Sequence, residues 1–158
     1  NNTDTIEGGA QFLEAILTAT TEMDEDEVPE EQRYLFTTST LLKSVKALDT
    51  TKSREALDGF AGIVKVPRGR FNTAIDLLSG RDGDEIAGGW KPSELPKPIN
   101  FLIVHKPALI KFDRHVAGPT VIGPDMNPDA DASIVKYRKY GVVDGYENKR
   151  AGIYLSHQ

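Results

Sequence analysis

The chain has 158 residues, 39% of them hydrophobic, a net charge of −5 and no cysteine. Its length suits a single domain, residues 1–158, with a core that buries about 70% of the unfolded surface; the missing cysteine excludes disulfides, thiolate metal sites and thiol nucleophiles. No apolar run approaches a membrane span, the opening NNTDTIEGGAQ lacks signal-peptide character, and an acidic balance without a Lys/Arg block argues against a dedicated duplex-DNA binder.

With Asn1 in first position the chain reads as a piece of a longer protein. GGAQFLEAILTAT predicts a helix, because Phe12, Leu13, Ile16 and Leu17 share one face at helical spacing. It runs into TEMDEDEVPEEQ, where seven carboxylates between residues 22 and 32 meet no basic residue until Arg33. We read this stretch as a solvated helix end and connector, although a helix C-terminus is the unfavourable end for negative charge. RYLFTT predicts a strand, and TSTLLKSVKAL a helix capped by Thr38 or Ser39 with Leu41, Leu42, Val45 and Leu48 inward. A polar connector follows, then a strand in GFAGIVKVP closed by Pro67. VPRGR looks like a protease-site scar, but it continues the strand pattern and reads as native.

TAIDLLS predicts a short helix. Residues 79–98, SGRDGDEIAGGWKPSELPKP, read as a long irregular loop around Trp90, the only tryptophan. Trp90 is either an interface anchor or a ring covering the base of its own loop. INFLIVH predicts a strand buried on both faces, and KPALIKF a short helix or turn. GPDMNPDADAS, residues 123–133, alternates side-chain oxygens like the start of a calcium loop. Its sixth position is Ala130 where Gly is needed and its twelfth is Lys136 where Glu is needed, so it reads as a solvated turn. SIVKYRKYGVVDGYENKRAGIYLS closes the chain as two strands around a polar turn, with Tyr137, Arg138, Tyr140, Tyr146 and Tyr154 on an amphipathic sheet surface. The order of elements predicts an α+β fold, helices packed on a mixed or antiparallel sheet.

The sequence holds no nucleophile elbow, phosphate loop or paired-histidine zinc motif. His105 ends a buried strand and reads as structural; His115 sits beside Asp113 and Arg114, where a surface ion pair accounts for it. Lys65, Arg68 and Arg70 are the best candidates for carboxylate or phosphate contact, and in so acidic a chain a neighbouring subunit is the preferred partner. We therefore expect no enzyme activity, no metal and no cofactor, with Arg68, Arg70 and Trp90 as candidate interface residues.

FLEAILTATTEMDEDEVPEEQRYLFTTSTLLKSVK, then GIVKVPRGRFN, INFLIVHKPALIKF and VKYRKYGVVDGYENKRAGIYLS, form an ordered set that resembles the major capsid (coat) proteins of tailed bacteriophages and prophages. The resemblance covers most of residues 9–156 and lies in the order of segments more than in any one motif. It implies a Johnson capsid fold: mainly the axial domain, a central sheet flanked by helices, with a small return into the peripheral domain. The family's N-terminal arm, extended loop and spine helix have no counterpart here, and the 79–98 loop is longer than that position suggests. Crosslinking through Lys and Asn side chains, known in some members, attaches to no residue of this chain. The resemblance further implies hexamers and pentamers of the chain itself, with scaffolding and portal proteins as possible company. Assembly would take place in a bacterial cytoplasm, the destination would be the virion, and packaged DNA would lie close by without specific binding. Two other readings stand beside it: a metal-dependent hydrolase using His105, His115 and Asp113, and a ligand-binding or adaptor domain using the Trp90 loop.

Overall fold

The computed structural model describes residues 2–3, 6–80, 88–127 and 130–158, without the side chains of residues 2, 3, 115 and 116. The fold is α+β, and the chain divides into two compact units where the sequence suggests one domain. The first comprises Asn1–Ala108 with Glu147–Gln158, the second Leu109–Tyr146.

In the first unit the helix α1 spans Gly9–Glu25 and buries Phe12, Leu13, Ile16, Ala19 and Met23, the stripe its periodicity predicts extended by two turns. It therefore absorbs much of the acidic run, placing Glu22, Asp24 and Glu25 in its last turn. The helix ends in a Schellman motif: the Val28 N–H donates to the Met23 carbonyl at 2.9 Å and the Glu27 N–H to that of Asp24 at 3.0 Å. Glu27 occupies the left-handed position, φ 56°, usually taken by glycine, and Val28 packs on the core. Arg33 locks this end from below. Its guanidinium is 3% exposed, contacts Asp24 at 2.6 Å, and donates to the carbonyls of Pro29, at 3.0 Å, and Val28. One buried cation thus satisfies the connector's carbonyls and offsets one carboxylate of the helix end.

Strand β2 (Arg33–Thr37) leads to α2 (Ser39–Lys46), whose N-cap Thr38 accepts from the Leu41 N–H as expected. The polar connector that follows is itself a helix, α3 (Thr51–Asp58), opened by a reciprocal capping box between Thr50 and Ser53. Strand β3 (Gly62–Lys65) lies parallel to β2, and β6 (Ile99–His105) lies antiparallel to it on the other side. With β1 (Asn2–Thr3) and β9 (Ile153–His157) they form a mixed sheet of order β1-β9-β6-β2-β3. Leu35, Ile103 and Tyr154 stand in one cross-strand row, with Phe101 on the same face, and the helices cover this face. Phe101 meets Phe12 edge-on at 5.6 Å and stacks on Tyr154 at 6.0 Å. Tyr34, Phe36, Leu102 and Leu155 alternate onto the opposite face, where they are half-buried and outside the helical core.

TAIDLLS is not a helix: β4 (Ile75–Leu78) pairs antiparallel with β5 (Gly89–Pro92), so part of the expected 79–98 loop is strand. The two closing strands form as expected, on either side of the turn at Glu147–Gly152. They do not pair with each other; β9 joins the central sheet, while the other belongs to the second unit. That unit is one long hairpin, β7 (Leu109–Ile122) against β8 (Ile134–Gly145), with a short 3-10 turn at Pro124–Met126. The helix or turn expected for KPALIKF is confined to Lys106–Ala108, and the rest is β7. Among the described residues no helix is long and apolar enough to cross a membrane.

Two substitutions test the α1 ends. Gly9 lies so close to α2 that a Cβ there would fall 2.7 Å from the Ser44 carbonyl carbon. Gly9→Ala is expected to destabilise by about 1–3 kcal/mol through overpacking, read from the urea midpoint. Glu27→Gly is expected to stabilise by about 1 kcal/mol, since it relieves the left-handed conformation and removes a carboxylate from the helix C-terminus.

Candidate interaction surface

The hairpin is the least self-sufficient part of the chain. Successive side chains of a strand point to opposite faces, so the register assigns Ile110, Phe112, Tyr140 and Val142 to one face and Leu109, Tyr137 and Val143 to the other. Both faces are wet: Phe112 and Val142 are 62% and 59% exposed on one, Tyr137 and Val143 60% and 69% on the other. A two-stranded hairpin is marginal in water and gains stability from a third strand or a packed layer. Its β7 edge is a poor template for a further strand. Register shifts interrupt the ladder between Asp113 and His115 and between Ala117 and Thr120, and the second holds Gly118 and Pro119. The β8 edge runs unbroken, and the exposed faces carry the apolar side chains.

Charge follows the strands. Lys111, Arg114, Lys136, Arg138 and Lys139 outnumber Asp113 and Asp144 on β7 and β8. Asp113 pairs with Lys139 at 3.0 Å; the surface ion pair expected for His115 concerns a side chain outside the described ones. The hydrogen bond from Lys139, more than its charge, holds the Asp113 carboxyl below its ordinary range and raises the ammonium in return. Gly141 leaves the room this pair needs, since a Cβ there would lie 2.9 Å from the Asp113 carboxylate.

Trp90 forms a second, smaller exposed patch. On β5 it stands directly across from Leu77 of β4, and the two are 37% and 79% exposed. Arg68 and Arg70 lie on an exposed 3-10 turn, Arg68–Arg70. Arg68 reaches the rim of a cavity of about 320 Å³, which Thr38, Leu41 and Asn100 also line. Among the described residues neither arginine has an ion-pair partner.

The histidine candidates fall in different units, His105 in the first, Asp113 and His115 in the second. Among the described residues no three His, Asp or Glu side chains gather as a metal site; Asp129 of the calcium-like turn lies outside them. His105 is directly opposite Arg33, and burial, then Lys149 and Arg33, lower its pKa from 6.5. Cations on both sides oppose a metal ion there as they oppose a proton. Gly152, packed 3.2 Å (by its missing Cβ) from the His105 Cβ, holds the turn carrying Lys149 against the ring.

A base with a depressed folded pKa takes up less proton than its unfolded counterpart. Stability contributed by His105 is therefore complete above pH 6.5 and is lost as pH falls from there through the lowered value. Denaturant titrations at pH 7.5 and pH 5.5 are expected to show an acid-side loss that His105→Gln reduces. An equal loss in both proteins would refute the assignment.

No family model, curated protein or solved structure matches the chain.

Proposed function

We propose that this chain is a structural subunit of a phage or prophage shell, assembling with copies of itself into hexameric and pentameric capsomers around packaged DNA. The observation that carries the reading is the Leu109–Gly145 hairpin, which presents aliphatic and aromatic side chains to water on both faces. Exposed apolar surface of this extent marks an association surface, and closed symmetric assembly is the ordinary way a repeated subunit covers one. The Leu77–Trp90 patch adds a second contact of the same kind. The mixed sheet with helices on one face is compatible with the axial domain that the resemblance implies. The acidic balance suits a wall that stands near duplex DNA without gripping it.

Negative-stain microscopy of the uninterrupted reading frame, co-expressed with its neighbouring frames, is expected to show shells or six- and five-membered rings. A discrete small oligomer would overturn the proposal. At residue level, Phe112→Ser with Val142→Ser is expected to leave the unfolding midpoint within about 0.5 kcal/mol, as for surface positions, and to abolish particles. Unchanged particle yield from that double variant would remove the hairpin from the interface.

A further inference from the structure

Resting on that self-assembly reading, we infer that the hairpin of one copy docks on the groove between α1 and α3 of a second copy, with a basic side chain of the hairpin seated in the groove. The hairpin supplies the area. Fourteen residues of β7 at ~3.4 Å each make a ribbon ~48 Å long, and two strands ~4.8 Å apart make it ~10 Å wide. The one face that meets the groove offers roughly 500 Å², less than the ~800 Å² one partner contributes to a standard-size interface, so each contact is a weak one that repetition around a ring sustains.

Charge selects the occupant. Among the described residues Lys111, Arg114, Lys136 and Arg138 have no carboxylate within ion-pair distance, and all four are exposed. Two such ribbons repel each other, so the complementary surface must be acidic. A nucleic acid would meet the charge but would leave Phe112 and Val142 without apolar cover, which favours protein. The chain itself carries the complement. Between α1, the connector after it and α3 runs a groove of about 160 Å³, lined by Asp24, Glu30, Glu55, Ala56 and Phe60. Arg33 also borders it, but that guanidinium is committed inward to Asp24 and two carbonyls. Glu30 and Glu55 have no ion-pair partner among the described residues and are exposed.

A groove with carboxylates on its walls and an alanine and a phenyl ring in its lining fits an arginine. The alkyl stem covers the apolar lining, the guanidinium stacks on the ring, and its planar fork meets the carboxylates. Arg138 is the hairpin residue best placed to enter. Its strand parity puts it on the face of Phe112, Tyr140 and Val142, so the same approach buries the apolar row.

The absence of cysteine allows a direct test. One copy carries Lys136→Cys, another Glu31→Cys; both positions are exposed, so neither change threatens the fold, and Arg138 and Glu30 stay in place. The two are mixed and joined with a short bis-maleimide, because an Arg–Glu contact leaves the Cα atoms too far apart for a direct disulfide, and crosslinked pairs are identified by mass. The expected result is a heterotypic pair well above the twofold excess over each homotypic pair that random collision gives. Heterotypic product at or below the random proportion overturns the contact. As a second measurement, Arg138→Glu is expected to weaken self-association about tenfold, with Glu30→Arg in the other copy restoring it. No restoration, or a loss confined to duplex-DNA binding, also overturns it. Shells with random crosslinking would retain the assembly reading and remove this contact. Heterotypic crosslinking in a soluble dimer that never forms rings would do the reverse.

Discussion

The fold depends on where one ring sits. Phe101, fully buried, is touched edge-on by Phe12 of α1 and stacked by Tyr154 of β9, so helix, central strand and closing strand converge on it. The register places it opposite Thr37 and Ser156, two buried hydroxyl residues, and the Thr37 hydroxyl donates to the Asn100 carbonyl at 3.2 Å. Aromatic area supplies the driving force here, and satisfied polar groups on either side fix the register. A one-residue slip of β6 would exchange Phe101 and Ile103 for Leu102 and Val104 and turn the helical core's own residues outward.

What could be read in advance was what local pattern decides. α1, α2, β2 and β6 carry their burial patterns in sequence, and the Thr38 cap is a local hydrogen bond. The elements that escaped are those decided at a distance or by weak local signals. α3 has few apolar residues, and its capping box uses Ser53 where Glu or Gln would have signalled it. β4, Ile-Asp-Leu-Leu, gives no clear local period, and becomes strand because Leu77 finds Trp90 thirteen residues later. β7 was obscured by Gly118 and Pro119, which punctuate a strand that tolerates them at a register shift.

The candidate surface was legible in part. Trp90 is partly exposed and stands across from Leu77, an arrangement that suits either reading of it, whereas Arg68 and Arg70 lie on an exposed turn. The tyrosines read as one sheet surface are split: Tyr154 belongs to the core, and Tyr137 and Tyr140 to the hairpin. The hairpin was missed because alternation serves equally for a strand with one dry face and for one with none. Only the exposure of Phe112 and Val142 on one face and of Tyr137 and Val143 on the other shows that both are wet. Arg33 was taken as the end of an acidic run; it is the residue that makes the run tolerable.

The central sheet is discontinuous in sequence: β9 lies after the hairpin, yet it pairs along β6 from Ile99 to Val104. On a ribosome adding about 5–20 residues per second, the chain from β6 to β9 takes seconds to emerge. During that interval the β6 edge is bare and Phe101 lacks its stacking partner. The nascent chain therefore holds the β6 edge open while the hairpin is still being made. Folding must outrun association, and the delay before β9 arrives sets how much chaperone cover, or how low a local concentration, the cell must provide.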